Sequence, residues 1–167
     1  MKHFNKILLI LIAFTAISFS SCTKDKNALV GTWVLVDKKI EFTPANPLLS
    51  MFASGYIDNV VSLPDPLILN ADGTGSGVTS YLTMQFDYTK TKDQITFKNM
   101  AVYFGGNYGD DLIADYQLLD KNKTLKMTID VTVIGLQMLQ NIIDLPIDIG
   151  NISKINIVVT YTKEMSK

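Results

Sequence analysis

The sequence predicts an all-β fold: an antiparallel meander that closes into a barrel or stacks as a sandwich, with one or two short helices. Three observations carry that prediction. Apolar and polar residues alternate with a period of two through most of the chain, the mark of half-buried strands. Turn signals recur between the alternating runs, at Asp72-Gly73, Asp93-Gln94, Gly105-Gly106-Asn107, residues 120–123 and Gly150-Asn151. Helical spacing is confined to two short stretches. Many short strands joined by tight turns suit either a closed barrel or a double sheet.

The first element is a leader. Lys2 and Lys6 precede an apolar run over residues 7–19, which ends in Ser20 and Ser21 before Cys22, the only cysteine. A basic start, an apolar stretch of this length and small residues before a cleavage point form a signal-peptide pattern. The run is too short to cross a bilayer as a helix. Residues 1–21 are therefore read as a signal peptide, 22–28 as a lipidated cysteine with its tether, and 29–167 as the folded domain. The stretch Phe19-Ser20-Ser21-Cys22 resembles a bacterial lipobox, and that resemblance implies that the Cys22 thiol takes a diacylglyceryl group and the freed amine a third acyl chain. Each buried methylene contributes about 0.8 kcal/mol, so two or more chains hold a membrane where one is marginal. With Cys22 so committed, no disulfide forms within the mature chain. The tether Thr23-Lys24-Asp25-Lys26-Asn27 resembles in part the lysine-plus-acidic signals of surface lipoproteins in Bacteroidetes. The expected address is the outer membrane, on its periplasmic or its cell-surface face.

The strands follow. "LVGTWVLVD" opens the domain with Trp33 and Leu35 on one face. Leu82, Met84, Phe86 and Tyr88 alternate against Thr83, Gln85 and Asp87. Residues 100–104 and 112–119 are further candidates. Leu125, Met127, Ile129, Val131 and Val133 alternate with polar neighbours from Thr124 onward, and Ile155, Ile157, Val159 and Tyr161 do the same at the end. Leu145, Ile147 and Ile149 suggest a hairpin, with Pro146 marking an edge. In the first helical stretch Asn46 can cap, Pro47 suits the first position, Leu48, Leu49, Met51 and Phe52 form a stripe, and Gly55 can end the helix. In the second, Leu136, Leu139, Ile142 and Ile143 share a face. Both are about two turns long and must dock to persist. They are expected either to plug the end of the sheet structure or to act as lids, with Leu48, Met51, Phe52, Leu136 and Leu139 touching a ligand.

Composition narrows the function. All fifteen basic residues are lysines, and the one histidine, His3, lies in the leader. Without residues 1–21 the chain keeps 146 residues, enough for one domain, and 13 basic against 16 acidic side chains, a net charge of about −3. No basic stripe offers itself to nucleic acid. A mature chain without His, Arg or free Cys lacks the commonest general base, the bidentate oxyanion clamp and the thiol nucleophile. The expectation is a protein that is not an enzyme, with no catalytic residues, no cofactor and no metal. Asp110, Asp111 and Asp115 are read as solvent-facing, and the glycine-rich run 72–77, lacking the lysine and helix of a phosphate loop, as a hairpin turn. Tyr103, Phe104, Tyr108 and Tyr116 make an aromatic patch whose tyrosines either stack on a sugar or protein or fold back on the core.

Gly31-Thr32-Trp33 has the Gly-x-Trp form that opens the first strand of lipocalins. The lipobox, the short tether, this motif, "LNADGTGSG" at 69–77 and "YQLLDKNKTLKMT" at 116–128 together resemble the lipocalin-like lipoproteins of Bacteroidetes. The resemblance implies an antiparallel barrel of about eight strands, with an immunoglobulin-like sandwich as the alternative. It also implies that Trp33 closes the base of the barrel, where a late-strand arginine packs over the ring in lipocalins. With no arginine in the chain, Lys154 or Lys163 is expected in that place. Two functions follow: a lipid-anchored carrier with a small apolar or amphipathic ligand in the barrel, or a filled, non-catalytic barrel whose loops bind an envelope protein or a glycan. The candidate ligand contacts are Leu48, Met51, Phe52, Tyr103, Tyr108, Leu136 and Leu139.

Overall fold

Eight antiparallel strands close into a barrel in the order of the sequence: β1 (Gly31–Thr43), β2 (Leu67–Leu69), β3 (Thr74–Val78), β4 (Thr83–Lys90), β5 (Gln94–Phe97), β6 (Leu112–Leu119), β7 (Thr124–Asp130) and β8 (Lys154–Lys163), which pairs back onto β1. The computed structural model describes residues 27–51, 63–79, 82–101, 107–141 and 151–164. Closure settles the choice against the sandwich, since the first and last strands pair with each other. The leader with Cys22, Phe52 and Gly55, Tyr103 and Phe104, Ile142 and Ile143, and the hairpin expected around Pro146 lie outside the described residues.

β1 is the seam of the barrel. Its first residues pair with β2, Gly31 opposite Leu69 and Trp33 opposite Leu67, while Trp33 to Thr43 pair with β8. The register slips between Leu35 and Asp37, so Val36 bulges outward and the strand bends enough to serve both neighbours. Beyond the bulge Ile40 lies opposite Ile157 and Phe42 opposite Ile155, and these side chains share the inner face. The inner rows from all strands make one apolar core with no buried polar or charged residue among the described ones. Its aromatic polar atoms are all satisfied: Trp33 Nε1 donates to Leu29 O at 2.8 Å, the Tyr88 hydroxyl to Asn70 O at 2.7 Å and the Tyr161 hydroxyl to Pro64 O at 3.1 Å. Burial, and then the charge of Asp65, raise the Tyr161 pKa well above the ordinary tyrosine range.

The strand register divides the connections between two ends. The base, near Trp33, carries the tight turns 70–73, 91–93 and 120–123. At the other end β1, β3, β5 and β7 finish and β2, β4, β6 and β8 begin. Helix α1 is described over residues 47–51, and α2 spans Thr132–Asn141. Asn46 caps α1 as its sequence suggests, its side-chain oxygen accepting from Leu49 N at 3.0 Å. Val131 and Val133, expected to continue the strand, leave it instead. The Asp130 carboxylate accepts from the Thr132 N–H at 3.0 Å and its hydroxyl at 2.6 Å, which satisfies helix-start donors and turns the chain into α2. Val133 is consequently 71% exposed.

Two further expectations are corrected. Residues 100 and 101 are not strand; the strand falls earlier, at Gln94–Phe97. Residues 72–77 do turn, with Thr74 N donating to Asp72 Oδ1 at 2.9 Å, but the glycines after the turn form β3.

Candidate functional site

Trp33 is fully buried at the base of the barrel. Lys163, the last residue of β8, places its ammonium 5.1 Å from the Trp33 ring centroid and donates to Ala28 O at 3.2 Å. It therefore occupies the position expected for a late-strand cation. Lys154 is at the opposite end of β8, 3.8 Å from Asp130. Asp130 is subject to opposed influences, burial raising its pKa and the Thr132 and Lys154 contacts lowering it, with a net lowering. The Gly-x-Trp motif has a steric reason as well: a Cβ on Gly31, whose φ is +143°, would strike the Lys163 stem that crosses to the ring. Lys163→Met keeps the stem but removes the cation–π contact and the hydrogen bond. Chemical denaturation is expected to show a loss of about 1–2 kcal/mol, with Lys163→Arg restoring most of it.

The interior offers little room where it is described. The cavity between Leu67, Phe86, Met100, Met127 and Tyr161 measures about 20 Å³, the space of roughly one water molecule. Phe86 and Phe97 fill the adjoining volume edge to face, ring centroids 5.4 Å apart at 82°.

A much larger space lies on the outside of the wall. β4 outruns β5: only Tyr88, Thr89 and Lys90 pair with that strand, while Thr83 to Asp87 pair with β3 alone. Lys98, Asn99, Met100 and Tyr108 border the resulting notch, a groove of about 780 Å³, a size at which pockets of about 300–1,000 Å³ hold small molecules. Its floor includes Gly75, Phe86 and Met100, and its walls Asn70, Thr74, Ser76, Gln85, Asp87, Lys98, Asn99 and Tyr108. Phe86 and Met100 also border the interior cavity, so they are the partition between inside and outside.

Asp111 holds one lip of the groove. Lys98 Nζ donates to Asp111 Oδ2 at 2.6 Å and Asn99 N to Asp111 Oδ1 at 3.2 Å, which secures Asn99 in the left-handed region at φ 56°. The hydrogen bond from Lys98, followed by that from Asn99, keeps the Asp111 carboxyl below its usual pKa. Asp110 instead accepts from Asn107 Nδ2 at 3.0 Å, closing the turn that presents Tyr108, and Asp115 accepts from Gln94 Nε2 at 2.9 Å. The three aspartates are thus engaged separately.

The residues singled out from the sequence do not converge on one site. Leu48 and Met51 face solvent from α1, whereas Leu49 between them is fully buried. Leu136 and Leu139 are partly buried and pack against the core. Tyr108 is 94% exposed at the groove, and Tyr116 packs against the core with its hydroxyl donating to Thr91 O at 3.1 Å. Phe52 and Tyr103 are outside the described residues. Ser76, Gln85, Asp87, Lys98 and Asn99 carried no local signal of a site, since each reads as the solvent face of a strand or turn.

The chain matches no protein-family model, and no curated protein or solved structure matches it.

Proposed function

We propose that this protein is a lipid-anchored, non-catalytic binding protein of the bacterial envelope, held to the outer membrane through Cys22, whose barrel is a packed scaffold and whose outer surface engages another envelope component. The observation that carries this reading is the contrast between a cavity of about 20 Å³ inside the wall and a groove of about 780 Å³ outside it. Barrels of about eight strands are poised between a filled interior and room for one small ligand, and here the described side chains take up the space. The mature chain's lack of histidine, arginine and free cysteine supports a role in binding rather than catalysis.

Two measurements test the reading. Full-length protein purified from its own membrane is expected to retain no small apolar molecule in native mass spectrometry and to leave the fluorescence of anilinonaphthalene sulfonate unchanged. A co-purifying ligand, or stoichiometric dye uptake, overturns the packed scaffold. Cys22→Ala is expected to move the protein from the membrane to the soluble fraction or to leave it uncleaved, because the polar tether offers too little apolar surface to hold a bilayer. Unchanged partition and unchanged mass overturn the anchor.

A further inference from the structure

The groove beside β4 has a chemistry that selects among ligands. Its floor is apolar and its walls are crowded with groups that both donate and accept hydrogen bonds. The register explains the arrangement: Thr74 faces Asp87 and Ser76 faces Gln85 on the outer side of the β3–β4 pair, so hydroxyl, amide and carboxylate form two adjacent rungs. Asn70 and Thr74 are already tied to each other and to the turn, Asn70 Nδ2 donating to Thr74 Oγ1 at 3.0 Å and Thr74 Oγ1 to Asp72 Oδ1 at 2.7 Å. The side chains of Ser76, Gln85, Asp87 and Asn99 have no such engagement with described residues, which leaves them to a ligand. At the other rim a turn displays Tyr108, its ring almost wholly exposed.

Charge narrows the class further. Lys98, the groove's cation, is bonded to Asp111 at 2.6 Å, whereas Asp87 has no cation bonded to it among the described residues. A phosphate or carboxylate would meet an uncompensated carboxylate and a lysine already in use. A wholly apolar ligand would strip water from the amides and hydroxyls without replacing it. A sugar ring suits both surfaces, because its C–H face packs on an aromatic side chain while its hydroxyls donate and accept around the edge.

We propose that this groove binds a neutral carbohydrate, with Tyr108 stacking on the sugar face and Ser76, Gln85, Asp87 and Asn99 hydrogen-bonding its hydroxyls. The assignment rests on the surface-binding reading above and names its ligand class. The Lys98, Asn99 and Asp111 cluster positions the lip, and Phe86 and Met100 supply an apolar floor that the sugar does not pass.

Isothermal titration of the full-length protein in detergent tests it, with cellopentaose, maltopentaose, xylopentaose and mannopentaose as neutral probes and trigalacturonate as the acidic one. At least one neutral probe is expected to bind. Tyr108→Ala and Gln85→Ala are each expected to weaken it about tenfold or more, as truncation of a central contact residue does, while Tyr108→Phe retains affinity. Both positions are on the surface, so the thermal midpoint should stay unchanged. Failure of all four neutral probes at millimolar concentration, preference for trigalacturonate, or unaltered binding by both alanine variants overturns the assignment. Dye uptake by the barrel would overturn the packed scaffold and leave a sugar result standing; loss of sugar binding with the dye excluded would overturn the carbohydrate assignment alone.

Discussion

Trp33→Ala is expected to lower the free energy of unfolding by about 3–5 kcal/mol, the range for deleting a large aromatic ring from a core. The ring is fully buried, caps the inner rows from β1, β2 and β8, and donates its indole N–H to Leu29 O at 2.8 Å. Its removal also deprives Lys163 of the face it covers and leaves a void at the tapered end of the barrel, where neighbouring strands are held by their ladders and cannot collapse inward. Urea titration followed by circular dichroism measures the loss; a change below about 1 kcal/mol would show that Trp33 does not close the base. As the only tryptophan it also reports directly on that place. Native emission should be blue-shifted and poorly quenched by iodide, and a sugar in the groove should leave it unaltered.

Gly75→Ala is the second large effect, about 1–3 kcal/mol of destabilisation from overpacking. Gly75 faces inward on β3 opposite Phe86, and an added Cβ would collide with the Phe86 ring and approach Ile68 O at 2.9 Å. Phe97, packed edge to face against the ring, restricts its retreat within the core. Ser76→Ala, one residue on and facing the groove, should stay within about 0.5 kcal/mol of the parent protein. Equal stability for the two variants, compared by thermal unfolding, would remove the argument that this glycine exists to admit the ring.

Much of the fold was legible because its signals are local. Alternation sufficed for β4 and β7, where one face is buried and the other more open over seven residues or more, while β6 alternates less cleanly and β8 also buries Val158 on its outer face. The cap of α1 was equally plain, because Asn46, Pro47 and Leu49 are neighbours in the chain. β2 and β5, at three and four residues, are too short for a period to register. β3 was hidden for a different reason: the glycines of "TGSGV" suggest a turn, and only the Phe86 ring against Gly75 and Pro64 against Gly77 explain them as strand. At Val131 and Val133 the alternation persisted in the sequence, but a carboxylate at Asp130 bonded the next turn and a helix began.

By itself the sequence determined an all-β chain with Trp33 at the opening of its first strand, since period, turn chemistry and composition each act within a few residues. Only the tertiary structure decided that the sheet closes, that Lys163 rather than Lys154 covers the tryptophan, and that a polar groove opens beside β4. Those outcomes depend on register between distant segments: Trp33 meets Lys163 across the β1–β8 seam, and the groove exists because β4 continues past the last residue of β5 that can pair with it. Strand lengths and partners are set by the closure of the whole barrel, through loop-closure entropy and the packing of all inner rows together, and no local window of residues contains them.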